Sequence, residues 1–302
     1  MTEESVPVVE LACTALAGTS LVEVRRASTN AGTAVYRVAL SDERHVVVKL
    51  VAAGRSHSAD DEARLLAAVA ASGRVAVPAV IASGSIPGLG TTALITADVG
   101  PSTLGEAVRE GQVTKLAAMV RLARLLNVFH TIKPPANSPL APGILAQISA
   151  LARHCPSSVF ALLAPALEVI AEGAADGRQV WCHGDLHFEN VVHQSASEQN
   201  SGRNGLSETV IDLAASTVCV PEYDLAQTLV TCDALAPSDR VLLAAAYGWP
   251  VDHRLVDAFV IFQAVRGWTY AAYREGRHSR LWAARLRQAL NSGPAWRSER
   301  NG

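Results

Sequence analysis

The sequence predicts an α+β protein built as two lobes: a small, β-rich N-terminal lobe over residues 1–99 and a larger helical lobe over residues 100–302. Three observations predict it. The first hundred residues alternate short β-branched runs with turn-forming clusters. Beyond about Gly100 the apolar pattern takes a helical period. One short β-type island, Val180–His193 with Thr209–Leu213, interrupts those helices.

In chain order, Val22–Ala27 and Ala34–Leu40 read as strands parted by the turn cluster Ser28–Thr33. Ser41-Asp-Glu-Arg44 then turns the chain into a third strand, His45–Val51. Ala59–Ser72 reads as a helix because Ala63, Leu66, Ala67 and Ala70 share one face and Gly73 supplies a stop. Strands follow around Val80–Ala82 and Thr92–Ala97. In the second lobe Lys115–Thr131 is a long amphipathic helix closed by Pro134-Pro135. Ile144–His154, Ser158–Gly173, Ala236–Ala246, Arg254–Glu275 and Ser279–Leu290 are also helical in pattern. Gln194–Glu208, rich in Ser, Asn, Glu and Gly, reads as a mobile polar loop.

Composition narrows the function. With 26 Lys+Arg against 28 Asp+Glu, the chain has no basic surplus to replace the counterions of a nucleic acid. At 49% hydrophobic residues and a net charge of −2 it has the means to build a core, which argues against disorder. No apolar stretch is expected to reach the roughly 18 residues of a bilayer crossing, so no membrane partner is expected. The start is acidic where an export signal is basic. Cys13, Cys155, Cys182, Cys219 and Cys232 are scattered and odd in number, as expected of reduced thiols in a cytoplasmic protein. Only three of the 26 basic residues are lysines, Lys49, Lys115 and Lys133. A lysine kept in so arginine-rich a chain suggests a need for its compact charge.

The island carries the chemistry. Val180-Trp-Cys-His-Gly-Asp-Leu-His-Phe-Glu-Asn-Val-Val-His193 holds Asp185 and, five residues on, Asn190; Asp212 follows 22 residues later in Val210-Ile-Asp-Leu213. Such a set suits phosphoryl transfer. One carboxylate orients a hydroxyl and accepts its proton, while an amide oxygen and a second carboxylate hold Mg²⁺, which prefers oxygen ligands. His183 and His187 have the spacing of a zinc pair, but Gly184 spoils the helix such a pair needs, and no H-E-x-x-H glutamate is present.

His183-Gly-Asp-Leu-His-Phe-Glu-Asn190, Ile211-Asp212 and Asp224-Leu-Ala226 together resemble the aminoglycoside phosphotransferase family of the protein-kinase-like superfamily, whose signature is H-G-D-x-x-x-x-N, a hydrophobic-Asp pair and then D-L-A. The resemblance runs from about Val22 to Tyr273 and implies a bilobal protein-kinase-like fold with ATP, or GTP, and Mg²⁺ as cofactors. It implies Asp185 as catalytic base, Asn190 and Asp212 as Mg²⁺ ligands, and His183 and Asp224 as braces of the catalytic loop. Lys49 and Glu62, 13 residues apart, resemble the superfamily's strand lysine and helix glutamate, which present the lysine to the nucleotide phosphates; Asp60 and Asp61 compete for the glutamate's role. Ser28 and Asn30 lie where a phosphate-covering loop is expected, and Thr96–Val99 where backbone groups read an adenine edge. Two departures stand beside the core set: Leu213-Ala214 replaces the usual aromatic and acid, and Cys219-Val-Pro221 replaces Gly-Asp-Pro.

The implied acceptor is a small hydroxylated molecule, an aminoglycoside or other antibiotic first. A metabolic kinase of a sugar, amino alcohol or amino acid is the alternative, and a non-catalytic nucleotide-binding regulator the third reading. From His253 to Gly302 nine arginines face three acids, a balance that repels a polycation if those arginines line the acceptor pocket.

Overall fold

The computed structural model describes residues 6–30, 32–52, 58–136, 140–193, 208–275 and 279–291. The polar stretch expected as a loop, residues 194–207, lies outside them. Among the described residues the order is α1 (Val6–Ala17), β1 (Leu21–Asn30), β2 (Thr33–Leu40), β3 (His45–Ala52), α2 (Ala59–Ser72), β4 (Val80–Ile86), β5 (Thr91–Ala97), α3 (Leu104–Arg109), α4 (Lys115–Phe129), α5 (Ile144–His154), α6 (Ser157–Phe160) and α7 (Ala164–Asp176). It continues with β6 (Val180–Cys182), β7 (Val191–His193), β8 (Glu208–Val210), β9 (Thr217–Cys219), α8 (Pro221–Thr231), α9 (Pro237–Tyr247), α10 (His253–Tyr270) and α11 (Ser279–Asn291). The chain divides into two units. The first holds Met1–Thr103, Pro134–Ala141 and Val191–Ala214; the second holds Leu104–Lys133, Pro142–Asn190 and Ala215–Gly302.

The first unit is an antiparallel sheet in the order β1-β2-β3-β5-β4. Alternation along its strands sorts the side chains. Val46, Val48 and Leu50 of β3 and Ala93 and Ile95 of β5 join Val9, Ala12 and Cys13 of α1 in one core. Lys49, between two of those core residues, is turned to the opposite face. Helix α1 has no acid in its first turn and no base in its last, and Gly18, at φ 66°, follows its end; the sequence reading began at Val22 and did not include it. The strand after Val22 runs on to Asn30 rather than stopping at Ala27, and Gly32, at φ 78°, makes the turn into β2. The hairpin β7–β8 belongs to this unit: Val210 N–H donates to Ala76 O at 2.8 Å and His193 N–H to Ser102 O at 2.9 Å.

The second unit is helical around α10, whose residues from Phe259 to Val265 are all buried. A helix apolar on every side must lie inside, and α7, α8 and α11 cover it. Gly267 lets α11 approach: a Cβ there would run into the Trp282 ring. Helix α8 is buried from Pro221 to Val230 and so shows no amphipathic period to read. Ser157–Ala175 is long and apolar enough, by length and composition, to cross a membrane, which corrects the expectation that no stretch reaches that length. Here it is divided among α6, a tight turn at Ala161–Leu163 and α7, and its Leu163, Ala166, Val169 and Ile170 are buried. All five cysteines are buried and free.

Candidate active site

In the first unit the odd-numbered positions of β3 turn Lys49 towards α2. Its Nζ donates to Glu62 Oε2 at 2.7 Å and to Asp212 Oδ1 at 2.8 Å. Local chemistry decides which of three consecutive acids does this. Asp61 caps α2: its carboxylate accepts the Ser58 N–H while the Ser58 hydroxyl accepts the Asp61 N–H. Asp60 accepts the Ser83 hydroxyl at 2.5 Å. Glu62, one residue on, is left facing inward and is 3% exposed. Burial alone would lower the Lys49 pKa, but the carboxylates of Asp212 and Glu62 overcome it and hold the ammonium above its usual value. Burial likewise pushes Glu62 up; Lys49 opposes this and the charge of Asp212 adds to it.

Asp212 follows β8 in the left-handed region, at φ 60°. For a residue with a Cβ that conformation costs on the order of 1 kcal/mol, and it sets the carboxylate, 44% exposed, against Lys49. Ser28 is exposed and pairs with Val35; Asn30 ends β1 opposite Thr33, and its side chain lies outside the described set. Thr96 is buried inside the ladder between Val47 and Val80. Beyond it, the Ala97 and Asp98 N–H groups are taken by Ala79 O and His45 O, so neither is available to a ligand. Val99 lies past the strand end. Arg37 fastens this segment, donating to Gly100 O at 2.5 Å and pairing with Asp98 at 3.5 Å.

In the second unit the loop after β6 is held from below by Asp224 of α8. Its Oδ2 accepts the His183 N–H at 2.7 Å and its Oδ1 the Gly184 N–H at 2.8 Å. Oδ2 also meets His130 Nε2 at 2.9 Å, and His130 Nδ1 reaches the Tyr247 hydroxyl at 2.8 Å. Cys182 Sγ lies close to this pair. Asp224 is already surrounded by these donors, so the buried group is a brace and a poor metal site. Gly184, at φ 81°, lies against Ala215, whose carbonyl oxygen a Cβ would strike. His183 Nδ1 accepts the Asp185 N–H at 3.3 Å, which leaves the ring proton on Nε2.

Asp185 is oriented by side chains on both sides. Asn190 Nδ2 donates to its carbonyl oxygen at 2.9 Å, leaving the Asn190 amide oxygen as the end able to meet a cation. Gln227 Nε2 donates to Asp185 Oδ1 at 2.9 Å. The sense of the Gln227 amide is fixed in turn: Arg266 Nη2, which can only donate, meets Gln227 Oε1 at 3.4 Å. His187 Nε2 lies 3.6 Å from Asp185 Oδ2. The sequence reading missed His130, Tyr247, Gln227 and Arg266. Gln227 was within reach, since three residues after Asp224 on a helix is the same face.

A sequence profile of the phosphotransferase enzyme family matches residues 23–259. No curated protein sequence matches the chain. Among solved structures it is similar to choline kinase LicA from Streptococcus pneumoniae, with a TM-score of 0.68 at 13% identity over 96% of this chain and 99% of that one. It is similar to the GDP complex of aminoglycoside 2'-phosphotransferase-IIIa, at 0.66 and 17% over 96% and 98%. Amicoumacin kinase hAmiN in complex with AMP-PNP, Ca²⁺ and Ami gives 0.64 and 11% over 97% and 93%. At such identities the likeness is one of fold: α+β, with a sheet in the N-terminal part and helices in the C-terminal part.

Proposed function

We propose, for a chain that belongs to the phosphotransferase enzyme family and is a phosphotransferase with an alcohol as acceptor, that it moves the γ-phosphoryl group of ATP to a hydroxyl of a small molecule. GTP is a second donor that the reading admits. The observation that carries it is Lys49 held between Glu62 and Asp212, an ammonium charge kept and aimed by two carboxylates. Such a lysine neutralises nucleotide phosphates without shedding its proton. Asp185, oriented by Gln227 and Asn190, takes the role of base: it accepts the proton of the acceptor hydroxyl as that oxygen attacks phosphorus. His183 and Asp224 keep the loop in shape.

Asn190 and Asp212 are the residues to hold Mg²⁺. The donor set fits a hard cation, an amide oxygen freed by the bond its Nδ2 makes to Asp185 and a half-exposed carboxylate. When bound, the ion neutralises charge on the nucleotide phosphates. Ser28, Asn30, Thr96 and Val99 remain candidates for nucleotide contacts. The reaction belongs in the cytoplasm, where the five thiols stay reduced.

Two acceptor classes follow from the neighbours. Aminoglycoside and amicoumacin kinases support an antibiotic acceptor, and thus resistance; choline kinase supports a metabolite. Calorimetry of Mg-ATP binding tests the nucleotide half of the reading. Asp212→Ala is expected to weaken binding tenfold or more and to abolish its dependence on Mg²⁺. Unchanged, metal-dependent binding in that variant would remove Asp212 from the metal site.

A further inference from the structure

Three helices carry a polar cluster beside Asp185: α5 with Gln147, α8 with Tyr223 and Gln227, and α10 with Gln263 and Arg266. Arg266 Nη1 donates to Gln147 Oε1 at 2.7 Å and to the Tyr223 hydroxyl at 2.7 Å. That hydroxyl donates onward to Gln147 Oε1 at 2.9 Å, and Gln147 Nε2 is anchored on Pro142 O at 2.8 Å. Each neutral partner therefore turns an oxygen towards the guanidinium. Of the five guanidinium donors, two on Nη1 and one on Nη2 are engaged. The Nε–H and a second Nη2–H have no partner among the described residues.

No carboxylate pairs with this half-buried cation among the described residues. The three helices hold three acids in all, and each is committed elsewhere. Glu222 accepts the Asp252 N–H at 3.0 Å, Asp224 braces the loop, and Asp257, more than two turns away along α10, pairs with Arg240. Gln263 is 1% exposed, and its amide approaches the Tyr223 hydroxyl without completing a well-directed hydrogen bond at either end. A buried amide left so costs stability unless something else meets it. A guanidinium with free donors, neutral companions and an unsatisfied amide nearby suits a planar anion. It does not suit an ammonium group.

We propose that Arg266 binds an anionic group of the acceptor, so that the alcohol phosphorylated is a hydroxy acid or hydroxy amino acid bearing a carboxylate, and not a polycationic or quaternary amine. This rests on the reading of Asp185 as the base that meets the acceptor hydroxyl. Gln227 links the two, touching both Asp185 and Arg266.

The test is ADP release by the full chain with Mg-ATP and a matched panel: glycerate against glycerol, homoserine against its amide, with serine, choline, ethanolamine and kanamycin alongside. Binding of the same compounds is followed by calorimetry. An acid is expected to exceed the partner that lacks its carboxylate about 100-fold in kcat/KM. Arg266→Gln is expected to raise KM for the acid tenfold to a hundredfold, the range of one lost charge-assisted pair. For the partner lacking the carboxylate KM should not change, while kcat falls alike for both through the Gln227 bond; Arg266→Lys should fall between. A merely structural Arg266 would instead raise KM for acid and partner alike, or leave both unchanged, and either result overturns the proposal. Turnover of kanamycin, choline or ethanolamine with no preference for acids overturns the acceptor class and leaves phosphoryl transfer standing. Acids that bind through Arg266 but release no ADP would keep the anion site and sink the phosphotransfer reading. Absence of both binding and turnover for every acid overturns the proposal outright.

Discussion

Replacing Lys49 with Met keeps the length of the side chain on β3 and removes its charge. What remains is Glu62, 3% exposed, facing Asp212 across the space the ammonium filled. Leaving one partner of a buried ion pair uncompensated costs about 3–5 kcal/mol. Glu62 can relieve that cost by taking a proton, because burial and the charge of Asp212 both favour its neutral form. The relief depends on pH with a definite sign. A carboxyl whose folded pKa is raised contributes stability below its unfolded value of 4.5 and loses it as pH rises. The variant should therefore lose less stability against the parent at pH 5.5, where Glu62 can keep its proton, than at pH 8, where it is driven to ionise. Urea denaturation at the two pH values measures it. Adding Glu62→Gln should restore stability to within about 1 kcal/mol and flatten the pH dependence, while Mg-ATP binding stays lost. An equal loss at both pH values, or a double variant no more stable than Lys49→Met, would refute the argument that the pair is buried and coupled.

Gln227→Leu removes the donor to Asp185 Oδ1 and nothing on the nucleotide side. Losing a hydrogen bond to a charged group is worth about 1.5–3 kcal/mol, so kcat should fall roughly 10- to 100-fold with Mg-ATP affinity within a factor of two, as read by steady-state rates beside calorimetry. The buried thiols give a test of fold rather than chemistry. Burial pushes Cys219 and Cys232 up to about 12, so their stabilising contribution is full below the free thiol value of 9.0 and is lost as pH rises towards 12. Denaturation at pH 8 and pH 10 should differ by on the order of 1 kcal/mol per thiol, and a thiol reagent at pH 8 should find none of the five until denaturant is added.

Much of the first unit was legible because a sheet strand declares itself by alternation. His45–Ala52 shows its two faces in sequence, and Lys49 is the polar exception on one of them. The resemblance favours Glu62 over Asp60 and Asp61, because Glu62-Ala-Arg-Leu-Leu66 fits the family pattern best. The cap in which Ser58 engages Asp61 gives the physical reason why Asp61 is not the partner. Helix α8 was missed although it bears Asp224: ten buried residues in a row leave no period to detect, and the D-L-A motif drew attention to Asp224 without revealing its helix. The brace beneath the loop was hidden for another reason. His130 and Tyr247 lie 94 residues before and 23 residues after Asp224 in the chain, and no local pattern joins them. Arg266 stood among nine arginines that composition could not tell apart; only its neutral neighbours distinguish it.

Asp185→Asn tests the central claim most directly. The change keeps the shape of the side chain and the bonds its backbone makes to His183 and Asn190, and it removes the proton acceptor. With a hydroxylated acceptor that the parent turns over, phosphoryl transfer should fall on the order of 10²-fold or more, while calorimetry finds Mg-ATP binding within about threefold of the parent. Near-parental turnover by Asp185→Asn on that acceptor would contradict the account.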